Sequence, residues 1–327
     1  MNTKNKVLLL LEENIDSYIS GQEIAGGLGV SRMAVWKAIH ALKGEGYLID
    51  SGTKKGYRLL SQNDILSEQG IRKNLENKYK DNRVLVLEST GSTNSDAKKL
   101  AIDGAPHGTI IVANEQTQGR GRFGRTFFSP KEKGIYLSLV LRPNMNIQEV
   151  TFSTILTVVA VCRAIKKFTD EKVEVKWVND LYIEGRKVCG ILTELVSDME
   201  SGEVDFIVVG VGMNVNAAIE DFPKELQEIA GSVHASGSNR NEIIAGISVQ
   251  IMDIFENFSL NEIIQEYREL QMILGKKIRY EKNGETIEGI AKDIDQQGGL
   301  VVHVEGEDII LRSGEVSVRL DPHTDIR

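Results

Sequence analysis

Two cysteines, Cys162 and Cys189, are all that 327 residues contain, too few for a disulfide scaffold or a cysteine metal cluster, so reduced thiols in the cytoplasm are the expectation. No stretch approaches the 18 or so uninterrupted apolar residues of a membrane-spanning helix, so no such span is implied. The first residues, MNTKNKVLLLLEEN, hold an apolar run of only Val7 to Leu11 before acidic residues follow; they read as the start of an amphipathic helix and not as an export signal. A phosphate-binding G-x-x-x-x-G-K-[ST] is also missing, so any nucleotide is held without a P-loop. Net charge is -8, which argues against nucleic-acid binding along the whole chain while leaving room for one basic module.

One pattern present needs the same scrutiny. QGRGRFGR, residues 118 to 125, places Gly119, Gly121 and Gly124 at G-x-G-x-x-G. A dinucleotide fingerprint requires those glycines to open a helix, with an acidic residue closing the next strand. Here TFFSPKEKG follows, where Pro130 and Gly134 disfavour a helix, and the next strand ends at Arg142. The dinucleotide reading fails on context. Glycines let backbone N–H groups approach an anion and arginine forks donate paired hydrogen bonds to carboxylate or phosphate, so an anion cradle, a solvated basic loop and an RNA contact all stay open at this point.

The first 60 residues read as three helices and a hairpin. Val7, Leu8, Leu10, Leu11, Ile15 and Ile19 make an apolar stripe; Ser20-Gly-Gln-Glu23 is a capping box; Gly26, Gly27 and Gly29 suggest a turn; and Ser31 caps RMAVWKAIHALK, with Met33, Val35 or Trp36, Ile39 and Leu42 at helical spacing. Two short strands, Tyr47 to Asp50 and Tyr57 to Leu60, flank a turn carrying Lys54 and Lys55. From Val30 to Leu60 six Lys and Arg oppose two acids, a local excess of four positive charges. This is the order of a winged helix-turn-helix with its charge where DNA needs it; Ser31, Arg32, Lys37, His40, Lys54 and Lys55 are the candidate contacts. A winged-helix interaction module without DNA is the alternative.

Beyond a linker at 61 to 67, strands and helices mix. Val84 to Glu88 empties into STGSTNSDAKKLA, which becomes a helix near Ser95 or Asp96. Strands follow at Thr109 to Ala113 and Gly134 to Leu141, and an apolar helix at Gln148 to Phe168 carries Cys162. In VEVKWVNDLYIEGRKVCGILTEL, residues 173 to 195, Asn179 and Asp180 form a polar turn, Glu184-Gly185 a hairpin, and Gly190 sits inside a strand, a sign of close approach by a ligand or a backbone. Lys187 is either a snorkelling surface lysine or a functional cation. Cys189 has no histidine nearby in sequence and reads as a buried thiol rather than a nucleophile. DFIVVGVGMNVN, residues 205 to 216, is a buried strand, the stretch to about Ser238 is expected to be a mobile loop over the site, and helices fill Arg240 to Phe258 and Leu260 to Leu274. Short alternating strands from Lys276 onward, with turns at Asn283-Gly284, Gly298-Gly299 and Ser313-Gly314, suggest a small barrel.

Helix-turn-helix, then Ser92-Thr-Asn94, EQTQGRGRFGR from Glu115, KWVNDLYIEGRKVCGIL from Lys176, GVGMNVN from Gly210 and a small barrel: this series resembles the family of bifunctional biotin-protein ligases that also repress the biotin operon, over essentially the whole chain. The resemblance implies an α+β chain with a winged helix-turn-helix at 1–62, a central mixed α/β ligase domain of the class II synthetase-like type at 63–274, and an SH3-like barrel at 275–327. It implies adenylation of biotin by ATP with Mg²⁺, then transfer to a lysine of the biotin carboxyl carrier domain of acetyl-CoA carboxylase or a related carboxylase. Carried over by motif, Ser92, Thr93, Asn94, Gln116, Gly119, Arg120, Gly121, Arg122, Lys187 and Gly190 serve biotin; Arg120, Arg122, Lys176, Asn179, Lys187 and Asn214 serve ATP and the adenylate; Arg122, Lys187 and Asp180 are catalytic, with Asp180 the proton acceptor. No metal ligand is assigned. Operator DNA is a second partner, through a ligand-promoted homodimer. Phe123 stands where a basic residue is frequent and Val178 where proline is. A non-enzymatic sensor of a small acid would be expected to have lost Arg120, Arg122 or Lys187, and a lipoate or octanoate attachment enzyme to lack the GRGR loop.

Overall fold

The computed structural model describes residues 2–145, 147–197, 204–235, 237–282, 285–312 and 318–320. Three helices come first: α1 (Thr3–Glu13), α2 (Gly21–Leu28) and α3 (Arg32–Gly44). Each is capped as its sequence asks. Asn2 accepts from the amide of Asn5, Ser20 and Glu23 form the reciprocal capping box, and Ser31 accepts from the amide of Ala34. Gly26 and Gly27 lie inside α2, and the turn is made by Gly29 alone, in the left-handed conformation at φ 63°. Val7, Leu8, Leu11, Ile24, Val35, Ile39 and Leu42 close one core with Ile49 and Leu59, each apolar side chain contributing about 1.5–3 kcal/mol by burial. Met33 and Trp36 are not in it; they face solvent. The wing is the antiparallel pair β1 (Ile49–Gly52) and β2 (Gly56–Leu59). Gly56, at φ 105°, lies so close to Ile19 that a Cβ would sit 2.0 Å from its carbonyl oxygen, which is how β2 comes to be tied back to α2 through the Ile19 and Tyr57 bridge.

A short helix α4 (Glu68–Asn74) leads into a seven-stranded sheet of β3 (Val84–Leu87), β4 (Thr109–Ala113), β5 (Gly134–Leu141), β6 (Glu174–Lys176), β7 (Asp180–Ile183), β8 (Arg186–Ser197) and β9 (Val204–Asn214), in the spatial order β3-β4-β5-β9-β8-β7-β6. Among the described residues of this sheet only β3 and β4 pair in parallel. Helix α5 (Thr93–Ile102) covers one face; α6 (Ile147–Val150), α7 (Ser153–Ile165), α8 (Arg240–Glu256) and α9 (Leu260–Glu269) follow, with α7, α8 and α9 supplying the main core on the other. The expected single helix over 148–168 is thus divided, and α5 starts at Thr93, two residues before the sequence suggests.

Alternation along the strands decides what each face receives. Ile207, Val209, Val211 and Met213 of β9 enter the α7/α8 core, while Phe206 and Val208 meet Ala97 and Ala101 of α5. The next residues on that second face are Gly210 and Gly212. They pair with Leu192 and Gly190 of β8 on one side and with Ser138 and Tyr136 of β5 on the other, and the side chains missing there leave a hollow beside the start of α5.

The last sheet is five-stranded and antiparallel among the described residues: β10 (Lys277–Lys282), β11 (Glu285–Ile294), β12 (Leu300–Val304), β13 (Glu307–Leu311) and β14 (Val318–Leu320), ordered β13-β12-β11-β10-β14. Of the three expected turns, Gly298-Gly299 is present, and those at 283–284 and 313–314 lie outside the described residues. Gly298 fits against Ile155, and its carbonyl accepts the indole N–H of Trp177 at 3.0 Å.

Candidate active site and DNA-facing surface

The hollow on the α5 face is lined by Ser92, Thr93 and Asn94 from the start of α5, by Gln116, by Arg120, Gly121 and Arg122 of the glycine–arginine loop, and by Lys176, Asn179, Asp180, Lys187 and Gly190. Most residues singled out from sequence for ligand chemistry therefore meet at one place. Two do not line it. Gly119 is buried below the loop, where a Cβ would lie 2.4 Å from the carbonyl oxygen of Phe127; its smallness serves packing. Asn214 donates its side-chain amide to the carbonyl of Gly231 at 2.8 Å and pins the 215–235 stretch. That stretch is no lid either: Lys187 donates its backbone N–H to the carbonyl of Ile229 at 2.8 Å, Val215 pairs with Val233, and none of it lines the hollow.

One end of the pocket is neutral and polar. Gln116 Oε1 accepts from the Thr93 amide at 2.9 Å and its hydroxyl at 3.1 Å, and Gln116 Nε2 donates to Ser129 at 3.0 Å. Ser138 donates from below to Thr93 or Asn94, while Asn94 Nδ2 reaches the Leu192 carbonyl at 3.2 Å and Glu194 at 2.8 Å. Asn94 can lie flat on the sheet only because position 210 is glycine, where a Cβ would come within 2.1 Å of Asn94 Oδ1. The ring of Phe127 covers Gly212, 2.6 Å from where a Cβ would stand. These two glycines, which the GVGMNVN motif contains, and Ser129 and Phe127 shape the site although none of the four was given a role from sequence. The alternation Val208-Gly210-Gly212 is the signal that could have found the glycines.

The other end is cationic. Arg122 is half-buried beside a single 3₁₀ turn that Phe123 makes possible at φ 56°, and its Nη1 donates to Asn179 Oδ1 at 3.3 Å. Its Nη2 is buried with no hydrogen-bond partner. Burial lowers the affinity of this guanidinium for its proton, and the Asp180 charge opposes that, yet arginine remains charged. Asn179 is fixed by donating to the Ile191 carbonyl at 2.7 Å. Asp180 opens β7 and is ion-paired with Lys187 Nζ at 2.7 Å, both half-buried. Arg120 is exposed and turned toward Ser95. Lys176 lies 5.9 Å from the Tyr182 ring centre. A buried donor without a partner is costly, about 1–3 kcal/mol or more when charged, and Arg122 lines the same cleft as Arg120, Lys176 and Lys187: the arrangement suits an anion bound among these cations. Both cysteines are buried away from it, and burial pushes the Cys162 thiol up to about 12 and raises that of Cys189 as well, so neither is a nucleophile.

On the winged helix, Arg32, Lys37 and His40 of α3 and Lys54 and Lys55 of the wing are exposed, with Lys55 5.5 Å from the Tyr18 ring centre. Ser31 is the cap of α3. Trp36, stacked on His40 at 4.0 Å, and Met33 share the groove between α3 and wing with Arg32 and Lys54.

Fold and site together define a class. The biotin/lipoate A/B protein ligase family pattern matches residues 86–214, a helix-turn-helix pattern matches 3–58, and the biotin protein ligase C-terminal pattern matches 273–319. The bifunctional ligase/repressor BirA of Bacillus subtilis (strain 168) is 34% identical over 306 residues, covering 91% of this chain and 93% of that protein. The Escherichia coli K12 bifunctional ligase/repressor BirA is 28% identical over 96% of both. Among solved structures, a biotin protein ligase from Aquifex aeolicus in complex with biotin and ATP superposes with a TM-score of 0.62 at 26% identity, over 73% of this chain and 99% of that one. The chain belongs to the bifunctional ligase/repressor family of biotin protein ligases.

Proposed function

We propose that residues 63–274 join biotin to ATP and then to an acceptor lysine, that residues 1–62 carry the same occupancy to operator DNA, and that 275–327 support the catalytic sheet. The observation that carries this reading is one pocket lined both by the cations Arg122 and Lys187, Arg122 half-buried with an unpartnered donor, and by the neutral hydrogen-bonding residues Thr93, Asn94 and Gln116. Biotin has that polarity, a neutral ureido ring at one end and a carboxylate at the other. Thr93, Asn94 and Gln116, with Ser92 beside them, would take the ring, Gly190 the flat bicycle, and the cations the carboxylate.

In the first step a biotin carboxylate oxygen attacks the α-phosphorus; the new C–O–P linkage forms as the bond to the β-phosphate oxygen breaks, and pyrophosphate leaves with its electron pair. Two anions must approach, so positioned cations and no enzyme nucleophile are what the step requires. Arg122, Lys187 and Arg120 supply them, with Lys176 and Asn179 toward the nucleotide. Asn179, whose Oδ1 accepts from Arg122, and Asp180, paired with Lys187, are oxygen donors of the kind Mg²⁺ takes alongside phosphates and water; such an ion would neutralise phosphate charge. In the second step the acceptor amine attacks the mixed-anhydride carbonyl, an amide forms and AMP departs. A free lysine is only about one part in a thousand neutral at pH 7.4, and Asp180 would receive its proton.

The acceptor is the biotin carboxyl carrier domain of a carboxylase, the operator is bound by a ligand-promoted homodimer, and the setting is the cytoplasm. Incubation with labelled biotin, ATP and such a carrier domain tests the catalytic reading: the label is expected on one carrier lysine and disappears in Lys187→Ala. Labelling by octanoate in place of biotin would overturn it.

A further inference from the structure

The glycine–arginine loop runs from the end of β4 to the start of β5, and one buried side chain outside the pocket holds both of its ends. Arg240, at the first turn of α8 and only 3% exposed, donates from Nη1 to the side-chain oxygen of Asn114 at 3.0 Å and to the carbonyl of Gly134 at 3.3 Å. Those residues flank the loop directly, Asn114 after β4 and Gly134 opening β5. The rest of the same guanidinium belongs to the linker: Nε donates to Asp64 Oδ2 at 2.7 Å and Nη2 to the Asp64 carbonyl at 2.9 Å, while the Arg240 amide donates to Asp64 Oδ1 at 2.8 Å. Asp64 is in turn next to Asn63, whose side chain accepts the amide of Leu48 in the winged helix at 3.2 Å. Asn241 repeats the connection one residue on, accepting from the Ser67 amide at 3.0 Å and donating to the Ile65 carbonyl at 2.8 Å.

We infer that Arg240 is the positioning residue of the substrate loop, and that Asp64 makes this positioning depend on the winged helix. A guanidinium has five donors in a rigid plane, so its contacts to Asp64 and to the two loop ends cannot rearrange independently. A ligand-driven shift of the loop ends at Asn114 and Gly134 therefore has to be followed by the guanidinium plane, and with it by Asp64 and, through Asn63, the strand-entering segment at Leu48. By reciprocity, DNA that fixes the winged helix strengthens ligand binding by the same factor. The inference rests on the reading of the chain as a ligand-responsive DNA binder.

The test uses the full chain and Asp64→Asn, which keeps an oxygen for Arg240 and removes the charge, beside Asp64→Ala, which removes both; Asp64 is 44% exposed and does not line the pocket. Operator affinity is measured without ligand and with biotin plus ATP, and the KM for biotin and kcat are measured with a carrier domain. The expected result is that the ligand-dependent gain in operator affinity falls by about fivefold or more and KM for biotin rises while kcat stays near that of the wild type; Asp64→Ala, which orphans a buried guanidinium, melts at lower temperature than Asp64→Asn, and all constants are read well below both midpoints. Arg240→Lys, which keeps the charge and loses the fork, should raise KM further. A wild-type chain whose operator affinity is indifferent to ligand would overturn both this inference and the regulatory reading beneath it. A ligand-dependent gain that is the same in Asp64→Ala and wild type would overturn the inference alone.

Discussion

Arg122 and Lys187 line the pocket half-buried, one against Asn179 and the other against Asp180, whereas Arg32, Lys37 and Lys54 stand in solvent on the winged helix. Both groups read from sequence as cations awaiting anions. The difference is what surrounds them. In the pocket, low dielectric multiplies each charge interaction and geometry is set before the ligand arrives; on the winged helix the charges are screened, interchangeable and useful chiefly in number, because each phosphate contact releases a counterion. Catalysis needs the first kind of cation and DNA positioning the second.

The sharpest way to break that contrast is to remove one cation from each side. Lys187→Ala or Arg122→Gly should lower biotin adenylation by about 10²–10³, measured as pyrophosphate release, with the fold intact. Losses below about tenfold would place these residues with the screened kind. Asp180→Asn should slow transfer from presynthesised adenylate by about 10²; transfer at the normal rate would remove its assignment as proton acceptor. Gly210→Ala drives a methyl into Asn94, and overpacking of about 1–3 kcal/mol should appear as weaker biotin binding in calorimetry. On the DNA side, Lys54→Glu with Lys55→Glu should flatten the dependence of binding on salt by about two counterions and weaken all sequences alike, whereas Trp36→Ala should weaken the operator more than random DNA, since an apolar side chain in the groove reads bases. The smallest effect concerns the thiols. With Cys162 raised to about 12 by burial and Cys189 raised too, almost no thiolate exists at pH 8, and a disulfide reagent should label neither until denaturant is added.

Much of this was legible along the chain because it depends on neighbours in sequence. The capping box at Ser20, the wing lysines, the RK-x-x-G strand and the failure of the glycine loop to open a helix are local facts, and the strands at 109–113 and 134–141 lie where their apolar runs put them. What stayed hidden needs partners far away. Asn214 looks like a ligand contact in GMNVN, but its partner is Gly231. Trp36 and Met33 sit at core spacing, yet Val35, Ala38, Ile39 and Leu42 fill the core without them; a helix of this length offers more apolar positions than one face can bury. Arg240 gives no sign of its role at all, since Asp64, Asn114 and Gly134 are each more than a hundred residues away.

The hydrogen bond from Trp177 to Gly298 bears on how such a chain can be cut or fused. Three sequence patterns divide it into successive parts, which invites treating the last as a removable appendage. Yet Trp177 opens the turn that presents Asn179 and Asp180, and its indole N–H finds its acceptor, at 3.0 Å, only in the C-terminal sheet's Gly298 turn, while Ile155 is covered by the same turn. A chain ending at 274 would strip both, leaving an aromatic donor facing water behind the turn that carries Asn179 and Asp180. The boundary that is convenient for cloning is therefore a seam in the foundation of the candidate site.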